Sequence, residues 1–387
     1  MMIGITSRAA LSTCALCVAG LLSFTPSALA SGGGPGPTPA QPRAATPHPS
    51  LLYHPGTQLH PRGDAPVLPD VSALSWLVAD ARSGDVLAAH DAHRRLPPAS
   101  TLKTLFALTV LPVLPAGIRH TVREKELEGI GAGSSLVGVA EGHTYRVADL
   151  WRGVFLNSGN DAVHVLASLN GGWRATAARM QAKARSLGAL DTHVRSPDGY
   201  DTPGQVSSAY DLAVFGRAGL RNAEFARYCG TAWAWFPGGG DGSYEIVNTN
   251  RLLTGADGVE PYRGLIGVKN GYTSNAGNTL VAAARRDGRT LVVTVMNPQA
   301  GGGFTVYEEA RQLLDWGFGA AGRVAPVGSL DALRVGPSPE PHPVPAAVSP
   351  ERGTGWPETG VISAAAAIGA GAVALVLRVK GVRPVES

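Results

Sequence analysis

The sequence predicts an α/β chain of the α+β type, with an antiparallel sheet drawn from both chain ends, flanking helices and a helical insertion between. Three observations predict it. Apolar runs bounded by turn residues stand early, at 76–80 and 85–89, and late, at 265–269, 279–285 and 290–296. Between them apolar residues recur three and four apart, the helical period. Strands, then helices, then strands and a last helix fold most simply when the first and last strands share one sheet.

Each element has its own signal. Ser83-Gly84 joins the first two runs as a hairpin. Leu96-Pro97-Pro98-Ala99 leads into Ser100, after which Leu102, Leu105, Phe106 and Thr109 mark a helix that Pro112 stops. Val147, Leu150, Trp151, Val154 and Phe155 make one apolar face, predicting a helix over 148–156. A polar break at 157–160 separates it from a short helix over 162–169, and a longer helix over 173–187 is closed by Gly188. Asp287-Gly288 turns the last two strands into a hairpin, and 305–316 closes as a helix. Asn270-Gly271, taken alone, is an equally strong turn signal.

The ends of the 387-residue chain read differently. Arg8, an apolar run through Leu22 and Ala28-Leu29-Ala30 predict a signal peptide over 1–30, and hence export to the outer face of the membrane or the wall. Cleavage there removes Cys14 and Cys17 and leaves Cys229, which excludes an internal disulfide. A Gly/Pro-rich linker is expected over 31–72, the folded domain over 73–322, and a Pro-rich linker over 323–357. The tail, 358–387, holds seventeen uncharged, mostly apolar residues at 361–377, followed by Arg378, Lys380 and Arg383. That is the short end of a membrane span, roughly 17–25 residues, with its basic flank expected inside. Just before it, "WPETG" at 356–360 resembles the LPxTG signal cut by sortases, with Trp356 in place of Leu. A transmembrane anchor or a sortase-processed tail is expected.

The net charge of +4 comes with no basic cluster interleaved with aromatics, so nucleic acid is not indicated as a partner. The ten histidines lack metal-ligand spacing, and neither metal nor cofactor is called for.

The lysines are more informative. Lys103, Lys125, Lys183, Lys269 and Lys380 are the lysines among 33 basic residues. Lysine offers what arginine cannot, an amine that loses its proton when desolvated. Lys125 and Lys183 read as surface residues. Lys103 follows Ser100 by three residues in "PPASTLKTL", and residues three apart share a helix face. A serine hydroxyl becomes a nucleophile when a neighbouring base takes its proton. An N-capping serine followed by a surface lysine explains S-x-x-K equally well when it stands alone. The same holds for "LNSGNDA", where Ser158 and Asn160 sit in the break between two helices, and for Lys269-Asn270-Gly271 at a strand end. The three occur in the order S-x-x-K, S-x-N, K-x-G, separated by about 55 and about 110 residues.

That set resembles the serine penicillin-recognising enzymes. The flanking words "LPPASTLK", "ADLWRGVFLNSGNDAVHVLA", "ARSLGALDTHVRSPDGYDTPGQVSSAYDLAVFGR" and "GLIGVKNGYTSNAGNTLVAAARRDGRTLVVTVM" resemble the low-molecular-weight D-alanyl-D-alanine carboxypeptidases, over about 75–319. The resemblance implies a β-lactamase/DD-peptidase-like fold and a serine D-Ala-D-Ala carboxypeptidase that trims peptidoglycan stem peptides through an acyl-enzyme and is inhibited by β-lactams. It implies Ser100 as nucleophile, Lys103 as general base, Ser158 as proton relay, and Asn160 as holder of Lys103 and the substrate amide. Lys269 would attract the terminal carboxylate, with Asn270, Gly271, Tyr272 and Thr273 completing substrate binding. The N–H groups of Ser100 and Tyr272 would form the oxyanion hole.

Asn270 departs from the family, which has Thr in K-T-G, and a weakly active or non-catalytic penicillin-binding wall protein is the alternative it raises. A β-lactamase needs a glutamate for deacylation. Glu224, Glu245 and Glu260, the glutamates between Asn160 and Lys269, lack the E-x-x-x-N context.

Overall fold

The computed structural model describes residues 49–240 and 242–331. In chain order the elements are β1 (Thr57–Pro61), β2 (Ala73–Asp80), β3 (Asp85–His90), α1 (Lys103–Val110), β4 (Arg119–Thr121), β5 (Thr144–Arg146), α2 (Val147–Leu156), α3 (Asn160–Leu169), α4 (Trp173–Ser186), α5 (Ala209–Leu220), α6 (Ala223–Cys229), β6 (Trp233–Pro237) and β7 (Ser243–Val247). They continue through α7 (Arg251–Thr254), β8 (Leu265–Thr273), β9 (Gly277–Arg286), β10 (Arg289–Pro298), α8 (Thr305–Ala320), β11 (Val324–Ala325) and β12 (Gly328–Ser329).

One sheet organises the molecule, in the order β11-β1-β3-β2-β10-β9-β8, with β12 also paired to β3. Its pairings are antiparallel. As expected, early and late strands meet at its centre, where β2 lies beside β10. The central strands are apolar without alternation because both of their faces are covered. Leu280, Ala282 and Ala284 of β9, with Leu291 and Val293 of β10, pack with Val306, Ala310, Leu313 and Leu314 of α8. The interleaved Val281, Ala283 and Val292 belong instead to a larger core with Leu105 and Phe106 of α1 and Leu212 and Phe215 of α5. That core continues through Trp151 and Phe155 of α2 and Met180 of α4.

Two expected boundaries are corrected. The sheet reaches into the span assigned to the first linker, because β1 pairs with β3 through Thr57, Gln58 and Leu59. It also reaches past residue 322, since β11 pairs with β1 and β12 with β3. Leu52, ahead of β1, is buried and would collide with a side chain at Gly328. These strands are only two to five residues long, and their partners are remote in sequence, so no local periodicity marks them. The β6–β7 hairpin and helices α5 and α6 were also not anticipated. The expected signal peptide, the first part of the linker and the tail with its membrane segment lie outside the described residues. Among the described residues no helix is long and apolar enough to cross a membrane. Cys229 is buried and free, its thiol pushed up to about 12 by burial.

Candidate active site

Pro98, with φ −82° and ψ −16°, leads into Ala99, whose φ of 49° is left-handed, and a 3-10 turn spans Ala99–Leu102. Thr101 Oγ1 and Thr279 Oγ1 both donate to the Pro98 carbonyl, the latter at 3.0 Å, tying the turn to β9. Thr101 and Leu102 are buried in this packing, which leaves Ser100 partly exposed at the turn. Lys103 opens α1. Its Nζ donates to Ser100 Oγ at 2.7 Å and to the Asp198 carbonyl at 2.7 Å. The side chain is 1 % exposed. Burial lowers its pKa to about 8, against the opposing pull of Asp198 and Asp161. An amine so desolvated deprotonates near neutrality, and its contact with Ser100 then runs the other way, hydroxyl to nitrogen.

The break between α2 and α3 carries Ser158 with a φ of 57°, a left-handed conformation rare outside glycine. Its hydroxyl is buried and has no hydrogen-bond partner. Asn160 Nδ2 donates to Ser134 Oγ at 2.9 Å, and its Oδ1 is buried without a partner. Neither residue hydrogen-bonds to Lys103, so the expected Asn160–Lys103 contact is absent here. Asp161 does the structural work of this break. Its carboxylate accepts from the backbone N–H groups of Val137, Gly138 and Val139 at 2.8–3.0 Å, while Asn160 N donates to Ser135 O at 2.8 Å.

The sheet edge supplies the third wall. Asn270-Gly271 does not turn: β8 continues through Thr273, and the turn comes at 274–276. Lys269 is 1 % exposed, and its Nζ donates to the Asn270 carbonyl at 2.8 Å and to Asn270 Oδ1 at 3.3 Å. Burial holds its pKa well below the ordinary lysine value, and the neighbouring Lys103 cation pushes the same way. Asn270 Oδ1 also accepts from Thr249 Oγ1 at 3.0 Å. At Gly271 an added Cβ would stand 2.6 Å from Ser100 N and 3.0 Å from Ala99 Cβ. The glycine is therefore what lets the strand lie against the turn that carries Ser100. Tyr272 is exposed, and Thr273 Oγ1 accepts from Ala276 N at 3.1 Å.

A cavity of about 190 Å³ joins these walls, lined by Ser100, Asn160, Tyr272 and Thr273 among the expected residues. Ser158, Lys269, Asn270 and Gly271 do not line it. Residues that were not anticipated complete it: Ser134 and Ser135 on one side, Tyr200 and Asp201 on the other. Asp198 Oδ1 accepts from Ser196 Oγ at 2.7 Å and Tyr200 N at 3.0 Å, shaping the turn whose carbonyl holds Lys103. Tyr200 OH donates to Ala132 O at 2.9 Å, across the two loops. The only sequence signal for these loops is turn composition, "GAGSS" and "SPDGYDTPG".

The family model Peptidase S11, described as D-alanyl-D-alanine carboxypeptidase, matches residues 62–300. D-alanyl-D-alanine carboxypeptidase DacB2 of Mycobacterium tuberculosis is 42 % identical over 275 residues, 70 % of this chain and 90 % of that protein. DacD of Escherichia coli is 33 % identical over 267 residues, 65 % of each. Among solved structures, a D-alanyl-D-alanine carboxypeptidase from M. tuberculosis H37Rv shares 39 % identity with a TM-score of 0.64, covering 70 % of this chain and all of that one (100 %). The Streptomyces K15 DD-transpeptidase shares 26 % with a TM-score of 0.61, covering 65 % and 99 %.

Proposed function

The chain belongs to the Peptidase S11 family of serine D-alanyl-D-alanine carboxypeptidases, and from that premise we propose an acyl-enzyme mechanism centred on Ser100. Neutral Lys103 takes the Ser100 proton as Oγ attacks the carbonyl carbon of the penultimate D-Ala. The N–H groups of Ser100 and Tyr272 receive the oxyanion. The peptide C–N bond then breaks, and Ser158 passes the proton from Lys103 to the departing D-Ala amine. Water attacks the resulting ester and frees Ser100. Lys269 draws the substrate's terminal carboxylate, and Asn160 holds the substrate amide through its unpartnered Oδ1.

The observation that carries this reading is the 2.7 Å contact between Ser100 and a lysine whose pKa burial has lowered to about 8. β-Lactams, which present a strained amide beside a carboxylate, are the inhibitors this site would trap covalently. The test is labelling with a fluorescent penicillin beside D-Ala release from a pentapeptide stem. Wild type is expected to label and to release D-Ala, with Ser100→Ala doing neither. Label that survives Ser100→Ala would remove Ser100 from the nucleophile's role.

We further propose export through the 1–30 signal and retention at the outer surface by the 358–387 tail. N-terminal sequencing of the mature protein and its partition between membrane, wall and medium test both. The second reading, a weakened peptidase, is favoured by the Asn270 contacts with Lys269 and Thr249. On that reading Asn270→Thr raises D-Ala release.

A further inference from the structure

The β6–β7 hairpin carries two exposed tryptophans that neither the fold nor the catalytic chemistry uses. Its register pairs Trp233 with Val247 and Trp235 with Glu245. Side chains alternate across a two-stranded ribbon, so these four share one face. The opposite face, with Phe236 and Ile246, is buried in the large core. Trp233 is 55 % exposed, Trp235 58 % and Val247 43 %. Tryptophans i and i+2 in a strand stand roughly 7 Å apart. An aromatic surface left this open commonly marks an interaction site.

Both ends of the ribbon are tied to the walls of the catalytic cavity. At its base, Val247 leads within two residues to Thr249, whose hydroxyl bonds Asn270 of β8. Farther out, Tyr244 OH donates to the Val137 carbonyl. Val137 belongs to the loop that Asp161 anchors and that contributes Ser134 and Ser135 to the cavity. The ribbon that presents the aromatic face is thus bonded to the same loop and the same strand that wall the site.

Resting on the carboxypeptidase reading above, we infer that the Trp233–Trp235 face of the hairpin binds the glycan strand to which the stem peptide is attached. A pyranose ring presents apolar C–H faces that stack on an indole, and polar hydroxyl and acetamido groups at its rim that need acceptors. Glu245 supplies such an acceptor beside Trp235. It has no hydrogen bond or ion pair among the described residues. The same carboxylate opposes an anionic bilayer, the other surface that exposed tryptophans suit. A polymeric substrate is thereby gripped at two points, the peptide in the cavity and its sugar backbone on the ribbon.

The test compares the full-length wild type with Trp233→Ala/Trp235→Ala and with the paired Trp→Tyr variant, each checked for native circular dichroism. D-Ala release is measured on diacetyl-L-Lys-D-Ala-D-Ala and on polymeric peptidoglycan, and binding by co-sedimentation with insoluble peptidoglycan. The double alanine variant is expected to lose roughly tenfold in kcat/KM on the polymer and in sedimentation, to keep its rate on the free peptide, and to be rescued largely by tyrosine. An N-acetylglucosamine tetramer should displace wild type from the polymer. Equal loss on both substrates, or no loss on the polymer, would overturn the inference. So would wild-type binding to phosphatidylglycerol vesicles that the double variant loses, which would assign the face to a bilayer. Wild type inactive on both substrates would refute the activity instead, while sedimentation still decides the ribbon.

Discussion

At the scale of single residues, two backbone and proton-transfer constraints lead to direct tests. Lys103 acts as a base only when neutral, and its pKa is lowered to about 8. D-Ala release should therefore rise with pH and level off above about 8, following loss of the lysine proton. Lys103→Arg, which cannot deprotonate, should reduce kcat by roughly 10²–10⁴ at every pH measured. A retained rate would take the base role from Lys103. Gly271→Ala would drive a methyl into Ser100 N, a backbone atom that cannot swing aside. Displacing the turn by even part of an ångström should cost on the order of 10² in kcat, read on the soluble peptide, while leaving secondary structure intact. The order of S-x-x-K, S-x-N and K-x-G, none of them decisive alone, marks Ser100, Lys103, Ser158, Asn160 and Lys269 as candidates. The structure joins Lys103 to Ser100 and puts Ser100 and Asn160 on the cavity, with Ser158 and Lys269 buried outside its lining. Their contacts were not legible in the sequence. That Asn160 would bond Ser134 rather than Lys103 depends on a loop brought in from 26 residues away.

At the scale of elements, the break between α2 and α3 holds the cavity together through Asp161. Replacing it by Asn turns an amide N–H₂ toward backbone donors and leaves at least one of them unpaired. Asp161→Asn should lower stability by roughly 2–4 kcal/mol, measured by denaturant unfolding. The Asp161 carboxylate also raises the Lys103 pKa. Its loss should therefore shift the pH–rate midpoint downward, and an upward shift would contradict the coupling. The helices and central strands were readable because an apolar stripe or run survives any tertiary arrangement. The β6–β7 hairpin was not, because its tryptophans face outward and its buried face offers only alternate residues. Asn270-Gly271 misleads as a turn signal because pairing with β9 and packing on the Ser100 turn outweigh local preference.

At the scale of the whole molecule, the sheet begins and ends outside the limits that composition suggested. A chain starting at residue 73 would lack β1 and leave Ala88–His90 of β3 and the short β11 without their partner, so it should melt at least about 5 °C below one starting at residue 49 and aggregate more readily. Equal melting would mean that β1 adds nothing. These edge strands escaped reading because composition reports how much apolar surface a segment carries, whereas pairing with β3 is satisfied by backbone alone. The strand order has a mechanical side. β1, β11 and β12 lie together at one margin of the sheet, and β8 forms the other. A pull applied between residues 57 and 329 would load the short β1–β3, β1–β11 and β3–β12 ladders first. Five strands away, the Ser100 turn and β8 would bear none of that tension until those ladders had unzipped. The catalytic margin is thus shielded from force acting on the ends of the fold.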